Sequence, residues 1–261
     1  MIAITVRSER GEILARAVHV CEALLCFDRV YQPGDRIEVE AGDARHLRFQ
    51  PDVSVLPGEV FLPDGRLTWT VPVGEHRLAY RPGAFGEARH IVSARVMTEE
   101  EISARRNLAC NPSDLRGDTD FFPHCVANVE TRGESCFAAR NVIDGMRFNT
   151  MHGEWPYQSW GIGAREDAWC LLDLGREVEI DGMALTLRAD FPHDAWWVRG
   201  QVALSDGTTV DFPLEKTGDR QHVALGIRRV CWLRLQNMVK SDDPSAFPAL
   251  IEWEVFGRDV R

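Results

Sequence analysis

The chain has 261 residues, more than one small β domain usually needs, so its length predicts two domains. Its 44% hydrophobic and 27% charged residues are ordinary for a globular protein, and a formal net charge of -10 argues against nucleic acid and anionic membranes as main partners. No apolar run approaches the roughly 18 residues needed to cross a bilayer, and residues 1–20 lack a basic stretch leading into an apolar one.

Residues 1–97 read as short strands between turns. Ile2, Ile4 and Val6 alternate with Ala3, Thr5 and Arg7, the period of a half-buried strand. Pro33-Gly34-Asp35 is a turn leading into Ile37-Glu-Val39-Glu, and Pro57-Gly58, Pro63-Asp64-Gly65 and Arg81-Pro82-Gly83 separate further strands. The spacing predicts a β-sandwich. Leu14 to Phe27 suits either a helix or two buried strands. No catalytic signature is present in this part.

Thr98 followed by Glu101 has the spacing of a capping box and predicts a one- to two-turn helix over 98–106, linking the two domains. From Asn107 the pattern returns to strands: Val178-Glu-Ile180, Met183 to Leu187, Gln201 to Leu204 and Thr208 to Phe212. The last two flank Asp206-Gly207, a strong hairpin signal. Cys231, Leu233 and Leu235 share one strand face, as do Ile251, Trp253 and Val255. The prediction is an all-β domain over 107–261.

Seven cysteines, at 21, 26, 110, 125, 136, 170 and 231, are an odd number without any C-x-x-C pair. A reduced, cytoplasmic protein is the simplest account. His124, Cys125, Cys136 and His152 fit no closed zinc spacing. Neither a nucleophile elbow nor a phosphate loop nor a dinucleotide fingerprint occurs.

One stretch stands out, Asn141 to Gly175, where His152, Glu154, Trp155, Tyr157, Gln158 and Trp160 crowd a single loop. Such a mix suits a surface where apolar faces meet polar groups, although aromatic residues also serve as a lid on their own core.

An ordered series carries a family resemblance: Asn107-Leu-Ala, Asn141-Val-Ile-Asp-Gly145, Trp169 to Gly175, Val178 to Met183, Leu204-Ser-Asp-Gly207, Arg229 to Leu235 and Ile251 to Gly257. Together these make residues 107–261 resemble the discoidin, or coagulation-factor type C, domains, whose galactose-binding-like fold many carbohydrate-binding modules share. The resemblance implies an eight-stranded jelly-roll-like sandwich with ligand held by loops at one end. Those loops would be the stretch after Asp144, residues 188–197 and residues 237–248. Trp155, Trp160, Trp196 and Trp197 are the candidate platforms. His152, Gln158, Arg188, Asp190, His193, Asp194 and Asn237 are the candidate hydrogen-bonding groups. One of Trp196 and Trp197 is expected in the core, because neighbouring strand positions face opposite ways. Arg188 with Asp190 and Asp194 also fits a structural ion pair.

The resemblance further implies a structural calcium ion, with Asp144, Asn149 or Thr150, and Glu252 as ligands; the alternative is that Asp144 only accepts backbone N–H bonds in its turn. The functional expectation is non-catalytic glycan binding by the C-terminal sandwich. Two alternatives stay open: a glycan hydrolase or lyase using Glu154, Asp190, His193 and Asp194 with His152, and a protein-interaction adaptor.

Overall fold

A computed structural model describes residues 1–148, 155–189 and 195–260. The protein is all-β, and its sheets are antiparallel throughout.

Eight strands come first: β1 (Ile2–Arg7), β2 (Ile13–His19), β3 (Glu22–Asp28), β4 (Arg36–Glu40), β5 (His46–Gln50), β6 (Gly58–Phe61), β7 (Arg66–Thr70) and β8 (Arg89–Val96). They form two four-stranded sheets, β2-β1-β4-β7 and β3-β8-β5-β6. Ile4, Ile37, Val39 and Trp69 of the first face Leu25, Phe49, Val60 and Val92 of the second in one buried core. The alternation read from sequence is realised in β4, β5 and β7, whose buried apolar residues alternate with half-buried or exposed polar ones.

β1 departs from it, because Ala3 and Thr5 are buried as well. Each lies between two strands, Ala3 beside Val18 and Glu40 and Thr5 beside Arg16 and Glu38, and the long neighbouring side chains cover the small ones. The ambiguous stretch from Leu14 to Phe27 resolves into two strands, β2 and most of β3.

Helix α1 (Glu99–Ser103) follows, and its capping box is complete: Glu101 N donates to Thr98 Oγ1 at 3.3 Å while Thr98 N donates to Glu101 Oε2 at 2.9 Å.

The remaining strands are β9 (Arg106–Asn107), β10 (His124–Ala127), β11 (Trp160–Gly161), β12 (Cys170–Leu187), β13 (Trp197–Leu204), β14 (Thr209–Pro213), β15 (Gln221–Lys240) and β16 (Ala249–Asp259). They make one eight-stranded sheet in which β12 and β15, 18 and 20 residues long, change neighbours along their lengths. The first residues of β12 pair with β10 and β15; beyond a bulge, Val178–Leu187 pairs with β15 and β16. The sheet thereby wraps around a second core containing Trp160, Leu172, Leu185, Trp197, Leu233 and Trp253. The predicted hairpin is present, with Thr208 N bound to Asp206 Oδ1 at 2.8 Å and Gly207 at φ 86°.

Residues 107–123 serve both cores, since Leu108 and Ala109 pack into the second and Phe121 into the first. Phe61 and Phe122 exchange backbone hydrogen bonds of 2.7 and 2.9 Å, and Trp69 Nε1 donates to Ser113 O at 2.9 Å. Arg106 forks between Glu59 Oε2 at 2.7 Å and Asp259 Oδ2 at 2.6 Å.

Candidate ligand-binding site

The loop singled out in the sequence starts on two short 3-10 turns, Ser135–Phe137 and Ala139–Ile143. They are held from within by buried polar side chains. Asn141 Nδ2 donates to Ser135 O at 2.9 Å and Ser159 O at 3.3 Å, closing the base of the loop. Arg140, 4% exposed, donates to Asp114 O at 2.7 Å, Pro112 O at 2.8 Å and Asn141 Oδ1 at 3.1 Å. Its guanidinium also lies 4.9 Å from the centre of the Tyr80 ring, a residue of the first sandwich. Ser135 is tied across the same junction, donating from both N and Oγ to Glu75 Oε1 at 2.6 and 2.7 Å.

Asp144 then turns the chain. Its Oδ1 accepts from Met146 N at 2.8 Å, the local turn bond anticipated as an alternative to metal ligation, and Gly145 takes φ 81°. Both Glu252 oxygens accept from Gly145 N at 3.2 Å, and Gln158 Nε2 donates to Asp144 Oδ2 at 3.5 Å. Two buried carboxylates therefore meet at this turn. Burial pushes Asp144 up to about 6, against the pull of Arg140. Glu252 is driven well above the usual carboxylate range by burial and by the charges of Asp144 and Glu254.

Beyond the turn, a cavity of about 290 Å³ opens between the two sandwiches. Asp144, Met146, Trp155 and Gln158 line one wall, Gln50, Val55, Leu56, Tyr80 and Arg81 the other, with Arg140 and Pro112 also at its surface. It shares Tyr80, Arg81 and Trp155 with a second cavity of about 540 Å³, lined also by Arg77, Leu78, Pro82 and Tyr157. Trp155 and Tyr157 are half-buried. Tyr80, Arg81 and Arg140 are absent from the sequence-based candidates. Arg81 was legible only as part of a Pro-Gly turn, and nothing local marks Tyr80 or Arg140.

The predicted residues do not all converge. Trp155, Gln158 and Asp144 share the cleft. Arg188, 2% exposed, donates from Nη1 to Tyr157 O at 3.3 Å and lines a separate cavity of about 220 Å³ with Phe137 and Phe247. Asn237 is exposed at φ 50°, bonds Gln201 Oε1 at 3.1 Å, and borders a further cavity of about 620 Å³ beside Lys240. Trp196 is half-buried with Lys216 Nζ 5.1 Å from its ring centre.

Two of the expected platforms are corrected. Trp160 and Trp197 are 0% and 1% exposed and stack on each other at 6.3 Å in the second core. Trp160 is pinned because β11 pairs it with Leu250 and its Nε1 donates to Val129 O at 2.9 Å. Asn149, Thr150, His152, Glu154, Asp190, His193 and Asp194 lie outside the described residues. His124 is engaged with Asp114 Oδ1 at 2.6 Å; burial opposes its charge, but this bond holds it above the usual histidine range.

No protein-family model matches the chain, and no curated protein does. Solved structures do match. A chitosan-binding module from a chitosanase/glucanase of Paenibacillus sp. IK-5 is 19% identical, with 58% of this chain and 99% of that one covered at a TM-score of 0.41. The lectin domain of lectinolysin, solved with Lewis B antigen, is 16% identical over 59% of this chain and 98% of that one, TM-score 0.43. A family 32 carbohydrate-binding module from C. perfringens NanJ, solved with galactose, is 14% identical over 51% of this chain and 91% of that one, TM-score 0.39.

Proposed function

We propose that the protein binds carbohydrate without catalysis, in the cleft where the loop after Asp144 faces the first sandwich. The observation that carries this reading is a half-buried Trp155 bordering a concave site together with Tyr80, Gln158, Arg81 and Asp144. A sugar offers apolar C–H faces and a rim of hydroxyls, and an aromatic platform among side-chain donors and acceptors matches both. The discoidin resemblance of residues 107–261 supports the same ligand class. Cytoplasmic location belongs to the reading too, supported by the odd cysteine count without paired spacing.

A glycan-array screen of the full chain tests it, with bound glycans recovered and weighed by mass spectrometry. Retention of intact glycan by the wild type, and its loss on Trp155→Ala in folded protein, is the expected result. Binding unaffected by Trp155→Ala sinks the site, and shortened glycan sinks the non-catalytic reading.

We further propose that calcium sits at the Asp144 turn. Its support is the pair of buried carboxylates, Asp144 and Glu252, whose mutual repulsion a cation would relieve. Among the described residues no group of three or more His, Cys, Asp or Glu side chains assembles, so the other oxygens of a calcium shell would be backbone carbonyls, water or the side chains of 149–150. Bound calcium would fix the loop that carries Trp155. Calorimetric titration with calcium, on wild type and Asp144→Asn, tests this: heat of binding in both proteins, or in neither, rejects it.

A further inference from the structure

The outer part of the cleft has a chemistry of its own. Its cavity of about 540 Å³ falls within the range of about 300–1,000 Å³ typical of small-molecule sites. Arg77 and Arg81 line it together with the rings of Tyr80, Trp155 and Tyr157, and no Asp or Glu is among its lining residues within the described part of the chain. That is unusual for a chain with a net charge of -10. Neither arginine side chain has a hydrogen bond or ion pair among the described residues, whereas Arg95, Arg105, Arg106 and Arg176 each hold a carboxylate. The nearby Glu75 is taken up by Ser135. Arg77 also packs over Gly86, where an added Cβ would collide with its Nη2. The guanidinium thus occupies room that only glycine leaves.

From these observations we propose that this outer part of the cleft takes an acidic sugar residue, its carboxylate or sulfate held by Arg77 and Arg81 and its ring laid against Trp155. The proposal rests on the carbohydrate-binding reading and adds to it the charge of the ligand and the part of the first sandwich that selects it. A planar guanidinium forms paired N–H···O bonds to carboxylate or sulfate and stacks readily on aromatic faces, which a lysine does not. A chain of net negative charge repels an anion at long range, so capture requires local cations that are not already neutralised. Arg77 lies on the 3-10 turn Gly74–Ala79, and Arg81 stands just past its C-cap residue Tyr80, so one short segment presents both.

The test is calorimetric titration of the full chain with three oligosaccharides of equal length: one of uronic acids, one sulfated and one neutral. Wild type, Arg77→Gln/Arg81→Gln and Trp155→Ala are compared. Because neither arginine side chain is partnered among the described residues, the double variant is expected to melt with the wild type. The wild type should bind at least one acidic ligand about tenfold or more tightly than the neutral one, the worth of a charge-assisted hydrogen bond. That preference, taken as the ratio of acidic to neutral affinity within each protein, should fall as salt rises and vanish in the double variant. Trp155→Ala should weaken acidic and neutral ligands alike. Preference for uronate alone or sulfate alone supports the proposal and names the anion. Equal affinity for acidic and neutral ligands, or a preference that survives the double variant, overturns it while leaving carbohydrate binding intact. Binding of no glycan of any charge overturns both.

Discussion

Asp144 is the residue at which structure and charge pull hardest against each other. Its turn bond to Met146 N favours the ionised carboxylate, yet burial holds it up at about 6, and Glu252 is raised further beside it. A carboxyl raised from 3.8 to about 6 contributes stability that is fully present below the lower value and lost as pH rises through the upper one. Without calcium, the wild type should therefore lose melting temperature between these two pH values relative to Asp144→Asn, whose amide oxygen still accepts from Met146 N. Each pKa unit relieved is about 1.4 kcal/mol, or roughly 3 °C for a chain of this size. Thermal melts in EDTA across that range measure the gap; a gap that does not widen with pH contradicts the assignment. Saturating calcium should close it at pH 7 by stabilising the wild type alone. The turn itself was legible in Asn141-Val-Ile-Asp-Gly145, because an Asp-Gly turn bonds within three residues. Arg140 was not, because its partners Pro112 and Asp114 are 28 and 26 positions away and Tyr80 belongs to another sandwich.

At the scale of elements, local signals survived and long strands did not. The capping box of α1 and the Asp206-Gly207 hairpin depend on neighbours in sequence, so both are readable. β12 appears in the sequence as three fragments, interrupted at Gly175 and at Asp181-Gly182. In the structure it runs unbroken from Cys170 to Leu187, with irregular register at those two places. Gly175 adopts φ 67° with Phe122 packed where a side chain would stand, so the apparent break is a bulge. Gly257 on β16 shows the same dependence on distant neighbours. A Cβ there would press on Glu179 O and on Ile180 Cα, both backbone atoms of β12 that have no freedom to give way. Gly257→Ala should force the two strands apart and cost about 1–3 kcal/mol, as overpacking does. Urea unfolding provides the measure, and a midpoint within error of the wild type would show that the strands separate without cost.

For the whole molecule, the question is how two cores behave as one body, and Arg106 holds the answer. Its guanidinium, 15% exposed, reaches Glu59 on the sheet of the first core and Asp259 at the end of β16, on the sheet that wraps the second. Asp259 also accepts from Arg176, and burial, which would raise it, is outweighed by these arginines, so it titrates below the usual carboxylate range. A depressed carboxyl contributes stability above its unfolded value of 3.8 and loses it as pH falls through the folded one. Arg106→Met keeps the apolar stem, removes the fork and leaves two acids facing each other with one cation fewer. The expected loss is about 1–3 kcal/mol at pH 7, the range for stranding a charged hydrogen-bond partner, and it should shrink as acid protonates Asp259. The junction also has Trp69 bonded to Ser113, Phe61 paired with Phe122 and Phe121 buried in the first core, none of which the substitution touches. Weakening should therefore reduce the coupling of the cores before it unfolds either. Scanning calorimetry distinguishes the cases: one transition in the wild type and two in Arg106→Met is the outcome this linkage requires. A wild type that already melts in two steps would mean that the cores are independent. The cleft between them would then be set by their docking equilibrium as much as by its lining residues, and any ligand that bridges it should merge the two transitions.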